Sequence, residues 1–239
     1  RLGNKCNLSC RMCSPTSSKN LISEWTALHP EQSGYYEQLK NIDWFESEKF
    51  WNEIENSKQI ERMHFAGGEP LLIEKHYDFL EKLVQKDLAK NMTLSYNTNL
   101  TVLPERALKL WDQFKKIQIM VSIDGFDEVN KYIRYPTNWD ILTKNLKKIE
   151  EQQVKTKKFF LTLNTTVQVY NIFNLTKLID FCVNETKEFN FPILNPLFYP
   201  EELSIQILPR EFKKQIESNL KKYLGENLEK LSARYSKSG

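Results

Sequence analysis

Three of the four cysteines in this 239-residue chain lie within eight consecutive residues near its start. Cys6, Cys10 and Cys13 follow the spacing C-x3-C-x2-C, with no fourth cysteine nearby. A cubane iron–sulfur cluster is normally held by four thiolates. Three thiolates on one loop therefore predict a cluster in which one iron has no protein ligand, and an open coordination position is typical of a metal centre that performs chemistry.

The composition indicates an ordinary globular protein in a reducing compartment. Hydrophobic residues make up 40% of the chain, and its length allows one large domain with a sizeable core. Crowding of the cysteines on one loop is not the pattern of a secreted disulfide scaffold. No apolar run has membrane-spanning length, and the net charge of +3 is spread along the chain. We expect a cytoplasmic protein without a membrane partner, and there is no specific nucleic-acid signal.

Short apolar strands alternate with helix-length segments through most of the chain. The alternation predicts strands at 62–66, 92–96, 117–123, 159–169 and 189–194, and helices at 73–90, from Pro104, at 139–150, at 171–184 and after Pro209. This order favours a parallel sheet with crossover helices. Active sites of parallel β/α folds lie at the carboxyl ends of the strands, so functional residues are expected in the loops that follow them.

Residues 14–58 break this alternation and carry seven aromatic residues. We predict an insertion with a helix at 47–56, whose aromatic side chains pack on the barrel. A lid or substrate wall beside the cysteine loop is the alternative. Only five residues precede Cys6, so a strand that feeds the cysteine loop would be very short or absent. The chain is expected to be an excerpt of a longer protein.

The first predicted strand ends in Gly67-Gly68-Glu69-Pro70. Paired glycines at a strand end let the backbone approach a ligand without interference from a side chain. The Glu69 carboxylate beside them can accept hydrogen bonds from an ammonium group. The motif alone is weak, but together with the cysteine spacing upstream and the β/α alternation downstream it is a strong indication of a ligand site.

These motifs resemble the radical S-adenosylmethionine (SAM) superfamily, whose two hallmarks are the C-x3-C-x2-C loop and the G-G-E-P segment. The segment from Val121 to Gly125, followed by Arg134, resembles the S-x-D-G segment of the branch with SPASM or twitch extensions. Asn97-Thr98-Asn99 resembles the T-N-G found there, with Leu100 in place of the glycine. The resemblance covers about residues 1–200.

The resemblance implies a partial (β/α)6 TIM-like barrel of parallel strands at residues 1–200, with the insertion at about 14–58 after the cluster loop. Residues 201–239 would be a C-terminal helical segment, the start of a twitch-type extension. Cys6, Cys10 and Cys13 would hold a [4Fe-4S] cluster and serve as the catalytic residues, and SAM would chelate the fourth iron. Reduction would cleave SAM to methionine and a 5′-deoxyadenosyl radical that abstracts hydrogen from a substrate.

Further roles are implied position by position. Gly67, Gly68 and Glu69 would contact the methionine end of SAM, with Glu69 on the ammonium group. Ser122 and Arg134 would bind the ribose or the carboxylate, and Met12 would pack near the adenine, where the family often has an aromatic residue. The other residues expected to bind cofactor are Pro70, Asn97, Asp124 and Asn164, although Asp124 is equally consistent with a turn residue before Gly125.

The resemblance does not identify the substrate, for which a peptide is the first candidate and other small molecules stay open. The chemistry implies a small electron donor of the flavodoxin or ferredoxin type. One alternative is a regulatory module that binds the cluster and SAM without turnover. The other is a structural zinc site, which one of the three histidines would have to complete. His64 is expected on a strand and His76 on a partly exposed helix face, and Cys182 is expected to be a buried, inert thiol.

Overall fold

The computed structural model describes residues 1–56 and 60–236. Within that part, five parallel strands form one sheet in which sequence order is also spatial order. The strands are β1 (Arg62–Phe65), β2 (Thr93–Thr98), β3 (Lys116–Ser122), β4 (Phe159–Val167) and β5 (Phe189–Pro196). The predicted α/β class is confirmed, and the sheet is consistent with a partial TIM-like barrel. The predicted end of the insertion at residue 58 and the last three residues lie outside the described residues.

Helices cover one face of this sheet, and nine α-helices belong to the described part of the chain. They are α1 (Ile22–Leu28), α2 (Ser33–Lys40), α3 (Glu48–Glu55), α4 (Glu74–Gln85), α5 (Glu105–Trp111), α6 (Glu128–Ile133), α7 (Trp139–Thr156), α8 (Leu175–Glu185) and α9 (Arg210–Ser236). None of them has an apolar stretch long enough to cross a membrane.

The end of α4 and the start of α8 differ from the sequence prediction for local reasons. α4 ends at Gln85 and not at residue 90, because Asp87 has a positive φ of 59° that a helix does not tolerate. α8 begins at Leu175 and not at residue 171, because the Asn171 side chain accepts a hydrogen bond from the backbone N–H of Gln168 and closes a turn there. The short helix α6 was not predicted.

The core lies between the sheet and the helices α4, α5 and α7. Alternate strand residues such as Tyr96 and Ile119 point toward these helices and are fully buried, as is Trp111 at the end of α5. His76 on α4 belongs to the same core, so the prediction of a partly exposed residue is wrong. Its Nε2 lies 2.8 Å from the hydroxyl of Tyr96, which gives the buried imidazole a hydrogen-bond partner.

The insertion contains three helices and not the single predicted one. α3 lies close to its predicted position, and Trp51 is buried against Phe79 of α4 and donates to the carbonyl of Phe45. α1 and α2 form a small separate cluster around Tyr36. The packing of aromatic residues on the barrel is therefore confirmed for part of the set, whereas Trp44 is exposed.

The helix α9 packs against α8 at the far edge of the sheet. Ile216 and Leu231 of α9 are buried with Leu175 and Ile179 of α8. Near its end, the guanidinium of Arg234 donates to the backbone carbonyls that follow α8. The C-terminal helix is thus attached to the barrel along much of its length.

An isolated β-bridge occupies the position where a first strand would precede β1. Leu2 pairs in parallel with Gly67, and the N–H of Leu2 donates to the carbonyl of Ala66 at 2.5 Å. The approach is so close that a Cβ at Gly68 would lie 2.2 Å from the carbonyl oxygen of Lys5. At Gly67 a Cβ would lie 2.7 Å from the nitrogen of Leu2, and its φ of +143° also favours glycine.

Burial lowers the pKa of His76 to about 3, far below its ordinary value near 6.5. The folded protein therefore favours the neutral ring. The resulting contribution to the free energy of unfolding is complete above pH 6.5 and is lost as the pH falls toward 3. Between pH 7 and pH 5, His76 should lower the free energy of unfolding by about 2 kcal/mol. Urea unfolding should show a smaller loss in His76→Gln over the same range. Equal losses in the two proteins would contradict this assignment.

The Gly68→Ala variant tests the close approach of residues 2–5. The added methyl group must displace a backbone carbonyl, so we expect destabilisation of about 3 kcal/mol, the upper end for overpacking. Gly34→Ala on α2 is the matched control, because a Cβ there meets nothing within 4 Å. Thermal unfolding should show a lower Tm for Gly68→Ala alone. Equal melting temperatures for the two variants would show that the contact carries no such constraint.

Candidate functional site

Hydrogen bonds to the backbone of the cysteine loop attach it on both of its sides. On one side, the N–H groups of Ser9 and Arg11 donate to the carbonyls of Tyr135 and Ile133 at 2.6 and 2.8 Å. On the other side, the Ser18 hydroxyl donates to the carbonyl of Leu8 at 2.6 Å. The loop therefore lies at the carboxyl edge of the sheet, where the sequence predicts the site.

The structure brings the three thiols of the loop into mutual electrostatic range. Cys10 is buried and shares a hydrogen bond with Cys13, and the Arg134 Nη1 atom lies 4.0 Å from the Cys10 sulfur. The hydrogen bond from Cys13 and the charge of Arg134 lower the pKa of Cys10 to about 7 against the opposing effect of burial. Burial raises the pKa of Cys6 to about 11, and the hydrogen bond to Cys10 raises that of Cys13 well above its usual range.

Histidines take no part in this loop. His64 on β1 pairs with the hydroxyl of Ser95, His76 pairs with Tyr96 in the core, and His29 lies 3.6 Å from a carboxylate oxygen of Glu31 in the insertion. Throughout residues 1–56 and 60–236, no three His, Cys, Asp or Glu side chains are arranged around a single metal ion. The histidine that a zinc site would need is placed elsewhere, and the three thiols suit iron–sulfur chemistry, in which each binds a different iron.

Glu69 is buried beneath the loop and accepts hydrogen bonds from two neighbouring segments of the chain. Its Oε1 accepts from the Thr98 hydroxyl at 2.7 Å and from the Leu71 N–H at 3.1 Å, and its Oε2 accepts from the Asn99 N–H at 2.7 Å. Burial raises the pKa of Glu69 to about 7, while these donors oppose the shift. The carboxylate therefore joins the glycine turn after β1 to the loop after β2, and about one of its four acceptor positions stays free.

Asn99 links this network to the cysteine loop and was not assigned a role from the sequence. Its amide nitrogen lies 3.0 Å from Asn7 Oδ1 and 3.9 Å from the sulfur of Cys6. The Asn7 side chain in turn donates to the hydroxyl of Thr101 at 2.8 Å. The signal in the sequence is the N-T-N segment itself, whose first residue, Asn97, was predicted to bind cofactor, whereas its third residue, Asn99, contacts the thiol.

The Asp124 and Arg134 side chains form an ion pair next to the cysteine loop. The Asp124 carboxylate is fully buried, lies 2.7 Å from Arg134 Nε and accepts from the Thr166 N–H. Burial raises the pKa of Asp124, and the positive charge of Arg134 opposes that shift. Asp124 is therefore more than a turn residue, because it orients the guanidinium that faces Cys10.

The other predicted residues line the same edge of the sheet. Ser122 ends β3 and pairs in register with Asn164 of β4, and Asn164 Oδ1 accepts from the side chain of Asn195 at 2.6 Å. Asn97 of β2 pairs in register with Met120, two residues before Ser122, and so lies further from the carboxyl edge of the sheet. Both Asn97 and Met12, on the cysteine loop, are half-buried. Pro70 is buried and begins the short 3-10 turn after Glu69, so it supports the turn from inside.

Leu100 occupies the position where the resembling motif has glycine. Its φ is +53°, in the left-handed region that favours glycine, and its side chain is fully buried. The N–H of Leu100 donates to the Thr98 hydroxyl, and its carbonyl accepts from Asn145 of α7. The backbone shape of this loop is therefore kept without the glycine, through hydrogen bonds at both peptide groups.

Solved structures with the same fold include two proteins recorded with peptides. The crystal structure of Streptococcus suis SuiB bound to precursor peptide SuiA matches with a TM-score of 0.54 and 14% identity over 95% of this chain and 45% of that one. Native anSMEcpe with bound AdoMet and Cp18Cys peptide matches with a TM-score of 0.54 and 20% identity over 95% of this chain and 58% of that one. The chain thus spans about half the length of these proteins.

Comparison of the sequence with curated proteins finds no match. The sequence model of the Radical SAM superfamily, in contrast, matches residues 1–170, which is most of the chain and includes the cysteine loop, the glycine turn and strands β1 to β4. The chain belongs to the radical SAM superfamily.

Proposed function

We propose that Cys6, Cys10 and Cys13 hold a [4Fe-4S] cluster whose fourth iron binds SAM. Both groups are the cofactors of the superfamily, and structures of its neighbours are recorded with SAM bound. The observation that carries the proposal is the position of the three thiols on one anchored loop at the carboxyl edge of the sheet, with every histidine placed elsewhere. Bound there, the cluster would supply the electron that cleaves SAM to methionine and a 5′-deoxyadenosyl radical.

The protein groups around the loop would bind and orient SAM. Arg134 is held by Asp124 and points toward Cys10, so its positive charge suits the SAM carboxylate or ribose. Glu69 keeps the glycine turn and Asn99 in fixed positions and has an acceptor position left for the ammonium group. Ser122 would add a hydrogen bond at the end of β3, and Met12 would pack near the adenine.

A peptide is the proposed substrate. SuiB and anSMEcpe share the fold and are recorded with bound peptides. The face of the sheet opposite to the core offers the polar groups that a peptide backbone requires, and among them Asn97 Oδ1 and Thr162 Oγ1 are buried without a hydrogen-bond partner. Abstraction of a hydrogen atom from a residue bound near Ser122 would be the first step of its modification.

Two further features belong to the proposal. An electron donor of the flavodoxin or ferredoxin type would reduce the cluster. Cys182, the one cysteine outside the loop, is fully buried on α8, so the cysteines of this sequence offer no second cluster to supply the electron. The chain would consist of a barrel at residues 1–200 and a C-terminal segment at 201–239 that starts a twitch-type extension. The packing of α9 on α8 supports a fixed position of that segment against the barrel.

The ligand assignment is tested by replacing one thiol at a time in anaerobically reconstituted protein. Cys10→Ala should lose the cluster, because two thiolates cannot hold a cubane. Cys182→Ala is the matched control and should keep it, since that thiol contacts Thr186 and Asn190 in the core. Iron and sulfide analysis, the absorption spectrum and 5′-deoxyadenosine formation after reduction would be compared.

The three readouts separate the alternatives. A full [4Fe-4S] spectrum in Cys10→Ala would contradict the ligand assignment. An intact cluster in the unmodified protein without 5′-deoxyadenosine would favour a binding module that has no turnover. One zinc ion per chain, with neither iron nor sulfide, would overturn the proposed function altogether.

A further inference from the structure

The sheet has a second face, opposite to the helix-covered core, which we call the inner face. It carries the even-numbered residues of β1, β3 and β4 and the odd-numbered residues of β2, because successive side chains of a strand alternate between the two faces. The hydrogen bond between His64 and Ser95, which are paired in register, confirms this alternation. In the proposed function, this face holds the substrate beneath SAM.

The charge on the inner face has one sign. None of the five strands in the described part of the chain contains Asp or Glu. Two cations, Arg62 and Lys116, lie at the amino-terminal end of the face, each paired in register with Thr93 between them. The rows beyond them carry amides and hydroxyls next to the apolar Phe160 and Met120. Burial lowers the pKa of His64, which favours its neutral form.

Arg62 and Lys116 have charges that are available to a ligand. Both are exposed, and within residues 1–56 and 60–236 neither of them forms an ion pair. Lys116 is turned over the inner face, because its Nζ lies 5.5 Å from the ring centroid of Phe160. Two strand spacings, about 9.5 Å, separate the two backbones, a distance that two long side chains can close around one carboxylate.

Further along the same face, a second feature indicates a ligand. Asn97 and Thr162 occupy one row across the sheet, and the buried atoms Asn97 Oδ1 and Thr162 Oγ1 have no hydrogen-bond partner. Thr162 as a whole is only 2% exposed. A buried polar atom without a partner carries a desolvation cost, which a bound amide group would remove. Peptide N–H and C=O groups are suited to this row.

The register of the strands gives the distances from the two cations to the row of Asn97 and Thr162 and to Ser122. Lys116 lies four residues before Met120, which belongs to the row of Asn97 and Thr162, and six residues before Ser122 at the edge near the cysteine loop. A strand rises about 3.3 Å per residue, so these separations are about 13 and 20 Å. An extended peptide has nearly the same rise, so the row of cations lies about six peptide residues from the edge where hydrogen abstraction would occur.

From these observations we infer that the substrate peptide carries an acidic residue, about six positions from the modified residue, which Arg62 and Lys116 bind. The inference rests on the proposed function for the placement of the reaction at the Ser122 edge. The carboxylate supplies the charge that the inner face lacks, and the neutral residues in between meet the amides and hydroxyls of the middle rows. Arg62 and Lys116 are thus specificity-determining residues that do not touch the reacting atoms.

The test uses fluorescein-labelled synthetic decapeptides of Ser, Thr, Asn and Gly with one variable position, occupied by Asp, Asn or Lys. Fluorescence anisotropy with the reconstituted, SAM-loaded protein would give the affinities. We expect the Asp peptide to bind at least tenfold more tightly than the Asn peptide and the Lys peptide to bind weakest. The preference should decrease as salt increases, because the two cations are exposed.

Charge variants then locate the preference. In the double variant Arg62→Gln and Lys116→Gln, the Asp and Asn peptides should bind equally, whereas Lys109→Gln on the outer helix α5 should keep the full difference. Charge reversal at both positions to Glu should make the Lys peptide the preferred one. Moving the Asp to two positions from the labelled end should remove the gain, because the inferred site requires the carboxylate about six residues from the residue at the reaction edge.

The outcomes distinguish this inference from the proposed function. Equal affinities of the Asp, Asn and Lys peptides in a protein that still forms 5′-deoxyadenosine would overturn the acidic recognition and leave the proposed function intact. A preference for Asp that persists unchanged in the double variant would equally overturn it. Loss of SAM cleavage in the unmodified protein would contradict the proposed function, whatever the peptides show.

Discussion

The site depends on one close approach between two backbones. Residues 2–5 run against the turn at Gly67 and Gly68 with no room for a Cβ on either residue, and this contact replaces a whole first strand. It fixes where the chain leaves the sheet just before Cys6. The cysteine loop is then fastened from Tyr135 on one side and from Ser18 on the other. A shift of the glycine turn would therefore move all three thiols together.

Buried polar groups extend that constraint across the carboxyl edge of the sheet. Glu69 joins the glycine turn to Thr98 and Asn99, and Asn99 reaches the sulfur of Cys6. Asp124 has the matching role on the opposite side, where it holds Arg134 toward Cys10. Both carboxylates are nearly or fully buried. Glu69 and Asp124 therefore preorganise Asn99 and Arg134, the side chains that contact the thiols.

The sequence predicts the framework better than the connections within it. The cysteine spacing, the G-G-E-P segment and the alternation of strands and helices predict the fold class and the loop of the candidate site, because those signals are local. Contacts between distant residues, such as Asn99 with Cys6 or Gly68 with Lys5, leave no local pattern. The burial of His76 was missed for the same reason, because its partner Tyr96 lies on another element.

The central claim is that three thiolates leave one iron of the cluster free for the methionine end of SAM. Electron–nuclear double resonance on the reduced, reconstituted protein tests it most directly, with SAM labelled by 15N in its amino group or by 17O in its carboxylate. The account predicts hyperfine coupling of both labels to the reduced cluster. An intact [4Fe-4S] signal that shows no coupling to either label, under conditions where SAM is bound, would contradict it.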